Sequence, residues 1–146
     1  MPKIESATLL LCDSAQVVSG KLYILGGGWG RLLASKTPTM LSLAVHILGD
    51  FEENKLHEFT LDLYKGSERY QVDGRDVVLV GHVVATRVED DAKWKPPGDV
   101  NVAVSLAIPF EPGTYAWKLS VDGQFVTQRV FDVVPALSPS SERAIS

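Results

Sequence analysis

The sequence predicts an all-β protein: a single antiparallel β-sandwich of about eight strands, immunoglobulin-like in broad architecture. Three observations predict it. Apolar residues recur with period two in residues 40–48, 56–64, 100–110 and 115–121. Turn signals such as Ser19-Gly20, Asp73-Gly74 and Asp122-Gly123 punctuate the chain. No segment combines a helical period with helix caps.

At 146 residues the chain suits one domain. A domain of this size buries roughly 68–70% of its unfolded surface, so a core can form without covalent staples. Net charge is −4, and no basic stripe interrupts the sequence. That argues against a phosphate-backbone reader and sets the expectation of no nucleic-acid partner. The single cysteine, Cys12, excludes a disulfide framework and a cysteine-based zinc site. The opening apolar run, residues 9–11, is too short for a signal segment or a membrane span, so the expected setting is cytoplasmic, with no membrane partner.

Taken in order, residues 7–12, 17–18 and 22–25 are apolar, with Ser19-Gly20 as a tight turn. That turn sets Val17 opposite Leu22 and Ala15 opposite Ile24. Gly26-Gly27-Gly28-Trp29-Gly30 follows. A phosphate cradle would need a helix N-terminus after the glycines, and none is signalled. The better reading is a strand bending between two sheets, with Trp29 over the exposed backbone.

Leu41, Leu43, Val45 and Ile47 share one face, as do Phe59, Leu61 and Leu63. Pairing Val45 with Phe59 leaves residues 50–54 as a hairpin loop and joins the two apolar faces. His46 then lies opposite Glu58 on the solvent face, and His57 at the rim beside Ile47. Residues 65–68 form a turn, 69–72 a short strand and 77–84 another, interrupted by Gly81. Residues 87–98, around Trp94 and Pro96-Pro97, form a long loop. The period-two signal is strongest from Val100 to Phe110. Tyr115, Trp117, Leu119 and Val121 make the next apolar face, which places Trp117 in the core.

Asp122-Gly123 suits a type I′ turn, which places Val126 and Val130 with Trp117. A three-residue loop would place Phe125 and Phe131 there instead. The β-sandwich domain is expected over residues 1–134. Residues 135–146, containing Ser and Pro, are expected to be a flexible tail.

The string Asp13-x-Ala15-x-Val17-x-x-Gly20-Lys21-Leu22-x-Ile24-Leu25-Gly26-Gly27-Gly28-Trp29 resembles a family of small bacterial proteins known only as a domain of unknown function. Pro112-Gly113-x-Tyr115-x-Trp117 and Val121-Asp122-Gly123 are similar to its second half. The resemblance covers most of the chain to Val134. It implies a β-sandwich and brings with it no catalytic residue and no ligand.

No nucleophile elbow or metalloprotease motif occurs. His46, His57 and His82 do not converge in the expected register, so no metal and no cofactor is expected. Two acidic runs, Asp50 with Glu52-Glu53 and Glu89-Asp90-Asp91, have carboxylates of the kind calcium takes but lack the twelve-residue calcium pattern. Trp94 lies among Lys93, Lys95 and Pro96, where it either anchors a partner or plugs the end of the sandwich. The expected function is a non-enzymatic protein-binding or assembly module, whose partner is another protein or a second copy. The alternative is a sugar- or small-ligand-binding sandwich using Trp94 and Trp29, and an enzyme with an unrecognised site ranks third.

Overall fold

The structure, a computed structural model, describes residues 2–52, 54–85 and 98–136. It is built from β1 (Ile4–Val18), β2 (Lys21–Gly27), β3 (Arg31–Leu33), β4 (Ser35–Gly49), β5 (Leu56–Lys65) and β6 (Glu68–Arg69), followed by β7 (Gln71–Val72), β8 (Arg75–Asp76), β9 (Val78–Val84), β10 (Gly98–Phe110), β11 (Gly113–Val121) and β12 (Gln124–Val134). No helix occurs among the described residues, and none therefore is long and apolar enough to cross a membrane. One sheet has the order β10-β4-β1-β2. A second has the order β3-β12-β11-β5-β6, with β9 also paired to β5, and β7 and β8 form a separate ribbon. The count exceeds the expected eight because β3, β6, β7 and β8 are two or three residues long, too short to carry a period.

Three hairpins close on two-residue turns in which both residues have positive φ: Ser19-Gly20, Asp73-Gly74 and Asp122-Gly123. This is the type I′ geometry, whose twist matches that of the strands it joins. Val17 pairs with Leu22 and Ala15 with Ile24, in the register the turn predicts.

The apolar faces of the two large sheets meet in one buried cluster. Leu9, Leu11, Leu41, Leu43, Val45 and Ile47 come from the first sheet, and Phe59, Leu61, Leu63, Tyr115, Trp117, Leu119 and Phe131 from the second. Each such aliphatic side chain contributes about 1.5–3 kcal/mol on full burial. Trp117 is completely buried. Tyr70, Phe110, Tyr115 and Phe131 close one end with edge-to-face and stacked contacts, their ring centroids 5.1–6.3 Å apart.

Four expectations are corrected. First, β4 and β5 do not pair. β4 has β1 on one edge and β10 on the other, while β5 lies between β11 and β9. Val45 and Phe59 therefore contribute to the core from different sheets, and the chain changes sheet between β4 and β5. Second, His46 faces Asn101 and not Glu58, and it is His82 that lies opposite Glu58. His57 is buried rather than at the rim. Third, the fold is not wholly antiparallel. β3 runs parallel to β12, with Arg31 opposite Asp132 and Leu33 opposite Val134, because it enters the second sheet by a crossing and not by a hairpin.

Fourth, the β11–β12 hairpin satisfies neither simple register. The two-residue turn is present, with Val121 opposite Gln124. The register then shifts, so that Ser120 faces Phe125 and Leu119 faces Thr127. The extra residue, Val126, is a β-bulge, and a bulge reverses which face every later residue occupies. Phe131 and Val133 are thereby buried, while Val130 is 51% exposed.

Candidate functional site

β1 pairs with β4 only as far as Cys12, and from there to Val18 it pairs with β2. The distal hairpin does not continue in the plane of the sheet. Asn101 on β10 donates from Nδ2 to the carbonyl of Gly20 at 2.8 Å, although β4 separates β10 from β1. Asn101 shares its sheet face with His46 and Thr8, the face opposite Leu9, Val45 and Val102. The hairpin therefore folds back across the outer face of the first sheet. There Cys12, Ser42 and Ala44 are buried although they point away from the core.

The glycines permit this bend. Gly26 has φ of 60° and Gly28 of 88°, values that L side chains rarely adopt. A Cβ on Gly26 would run into the carboxylate of Asp13. A Cβ on Gly27 would approach Ile24 Cγ2 to 2.6 Å. The amide of Gly28 donates to Leu11 O at 2.9 Å, and the amide of Asp132 donates to Gly30 O at 2.9 Å. Residues 28–30 thus carry the chain from the first sheet to the second. A strand follows them, and the Gly28 amide is occupied, so the arrangement differs from a phosphate cradle. Trp29 is half-buried against the core, and its Nε1 has no hydrogen-bond partner among the described residues.

The hairpin has two faces. Ala15 and Leu22 are half-buried, and Val17 and Ile24, on the same face, are 38% and 40% exposed. On the other face Tyr23 and Leu25 are 53% and 71% exposed. β2 is the edge of its sheet, and Lys21 is its only charged residue. Edge strands are ordinarily blunted by charges, proline or bulges. Here residues 22–25 present apolar side chains on both faces beside a row of backbone groups that is unpaired among the described residues. The consecutive apolar run L-Y-I-L was the available sequence signal, since a strand with one solvated face alternates.

The histidines are separate. His46 Nδ1 donates to Asn101 Oδ1 at 2.8 Å. His82 Nε2 lies 3.8 Å from Glu58 Oε2. His57 Nδ1 donates to Asp122 Oδ2 at 2.7 Å, and Asp122 Oδ1 accepts from the Glu58 amide at 3.0 Å. The bond from His57 holds the Asp122 carboxyl below its usual range, against the opposing effect of burial, and the Glu58 amide adds to the lowering. A His–Asp pair is a familiar acid–base unit. This one has its Nε2 buried and the Phe51 ring edge-on at 5.3 Å, so it braces the Asp122-Gly123 turn against β5. Burial, and secondarily Asp13, push the Cys12 thiol up from its usual range. Lys93, Trp94, Lys95 and Pro96, and Glu53 and Glu89-Asp90-Asp91 of the acidic runs, lie outside the described residues.

A comparison with curated proteins finds no match. A comparison with known families matches residues 7–134, nearly the whole of the described fold, and the chain belongs to that family, a family of unknown function (DUF6941).

Proposed function

We propose that the protein is a non-enzymatic assembly module, an immunoglobulin-like β-sandwich that associates with protein through the edge of β2, and that its partner is a second copy of the chain. Two features support the finer fold reading. If β1, β4 and β10 stand for strands A, B and E, and β5, β9, β11 and β12 for C, C′, F and G, the sheet orders match those of the immunoglobulin fold. Tyr115, near the start of β11, donates its hydroxyl to Glu111 O at 2.7 Å, the geometry of the tyrosine corner at that position in the fold. The hairpin and β3 are then insertions between strands A and B. A single buried thiol fits the reducing cytoplasm.

The observation that carries the functional reading is the apolar edge from Leu22 to Leu25. An edge strand adds a partner strand through main-chain hydrogen bonds, with side chains supplying specificity. Antiparallel pairing about a two-fold axis at Tyr23 sets Tyr23 against Tyr23 and Leu22 against Ile24 of the second copy. Leu22, Tyr23 and Ile24 each meet an apolar residue and Leu25 lies against Lys21 of the second copy, so the centre of the strand is complementary to itself and a lysine at position 25 would face a like charge. The ligand-binding alternative gains nothing from Trp29, whose ring is engaged with the core.

Native mass spectrometry across micromolar concentrations tests this. The expected species is a dimer at twice the 15.9 kDa chain mass, converted to monomer by Leu25→Lys. A wild-type monomer at every concentration would overturn the assignment of the partner.

A further inference from the structure

We infer that the β1–β2 hairpin is a hinged strap, latched by Asn101, that opens as a unit while the two-sheet core stays folded. The argument is independent of what pairs with the β2 edge. The hinge is Gly26-Gly27-Gly28, with two left-handed residues and little side-chain packing of its own. The latch is a relay: His46 Nδ1 fixes Asn101 through Oδ1, and Asn101 Nδ2 holds the Gly20 carbonyl at the hairpin tip. Both bonds are 2.8 Å long, and they tie the tip to β4 and β10.

What the strap covers is unlike a core. The outer face of the first sheet carries Cys12, Ser42, Ala44, Ala103 and Ser105, small residues that offer few apolar contacts, with the half-buried Leu10 as a larger apolar side chain beside them. Ser42 and Ser105 hydroxyls bond each other at 2.7 Å, and Cys12 Sγ donates to Ser42 O at 3.4 Å. These bonds lie within the sheet and survive when the strap lifts. Of the strap's inward residues, Ala15 and Leu22 are only half-buried and Val17 and Ile24 are exposed, so lifting it exposes little additional apolar surface. Local opening is least costly where buried apolar contacts are few, and the core strands, with Trp117 and Tyr115 fully packed, are held far more tightly.

Cys12 is the natural reporter. It is the chain's only cysteine, it is fully buried, and it lies at the base of the strap. Its reaction with Ellman's reagent, in which the thiolate displaces one thionitrobenzoate per mixed disulfide, requires the strap to lift. With dilute protein under native conditions, Cys12 should react faster than the amides of β5 and β11 exchange by global unfolding. Asn101→Ala should accelerate labelling about fivefold, the effect of losing one ordinary hydrogen bond, without changing exchange in β11. Leu25→Lys should leave the rate unchanged, which separates this outcome from that of the dimer test. Should Asn101→Ala fail to fold, Asn101→Asp, which also lacks the amide donor, makes the same test. The proposal is overturned if wild-type Cys12 reacts only at the global unfolding rate. It is equally overturned if the Asn101 variant speeds labelling and β11 exchange in the same proportion.

Discussion

Replacing Tyr115 with phenylalanine removes one oxygen and leaves the ring where it is. The ring stays stacked on Phe131 at 5.4 Å and edge-on to Tyr70 and Phe110 at 5.1 and 5.3 Å, so no large cavity forms. What disappears is the 2.7 Å bond to Glu111 O at the entry to β11. A net hydrogen bond is worth about 0.5–1.5 kcal/mol, and a carbonyl left without its donor adds to the loss, so the variant should be destabilised by about 1–3 kcal/mol at neutral pH. With a urea dependence of about 1–3 kcal/mol per molar, the unfolding midpoint should fall by roughly 0.5–1.5 M. The same residue carries a second signature. Burial, reinforced by nearby Tyr70, raises the Tyr115 phenol above the ordinary tyrosine range. A raised pKa means the folded state keeps a proton that the unfolded chain releases near pH 10. The stabilisation is complete below about pH 10 and declines above it, by about 1 kcal/mol between pH 10 and 11. Phenylalanine has nothing to ionise, and every other tyrosine is common to both proteins. The gap between wild type and variant should therefore narrow as pH rises from 10 to 11. Equal midpoints at pH 7, or a gap that stays constant to pH 11, would refute the reasoning.

Trp117→Ala should cost about 3–5 kcal/mol in denaturant unfolding, since the side chain is wholly enclosed, and a loss under about 1 kcal/mol would place it at the surface. Asp122→Asn should flatten the acid limb of the stability profile. The Asp122 pKa is lowered by His57, so its contribution is present above the usual carboxylate value near 4 and is lost as pH falls through the lowered one. Thermal melts between pH 6 and 2 with parallel slopes for both proteins would contradict this.

Much of the fold was legible because period-two alternation identifies which face of a strand is buried. Val100 to Phe110 and Tyr115 to Val121 needed no more than that, and the Ser19-Gly20 and Asp122-Gly123 turns fixed their own local pairing. Alternation does not identify the neighbouring strand. Val45 and Phe59 suit side-by-side pairing and packing across the core equally well, and only the competition of β1 and β10 for both edges of β4 decides between them. The face of Phe131 depended on a single bulged residue, Val126, which no turn residue announces. His57 is buried because Asp122, 65 positions later, supplies its partner, and such a separation leaves no local trace. The fold-back of the hairpin was hidden for the same reason. Its latch, Asn101, lies 81 residues from Gly20. The triple glycine stood out from the start, yet the residues that give the hairpin its exposed surface are Tyr23 and Leu25, just before it.

The central claim is that residues 22–25 pair with a second copy of the same strand, and amide hydrogen exchange of β2 at two protein concentrations tests it most directly. The account predicts that the edge amides of β2 become protected as concentration rises through the dimerisation range, and that Leu25→Lys abolishes this gain. Protection in β2 that is the same at both concentrations in the wild-type protein would contradict it.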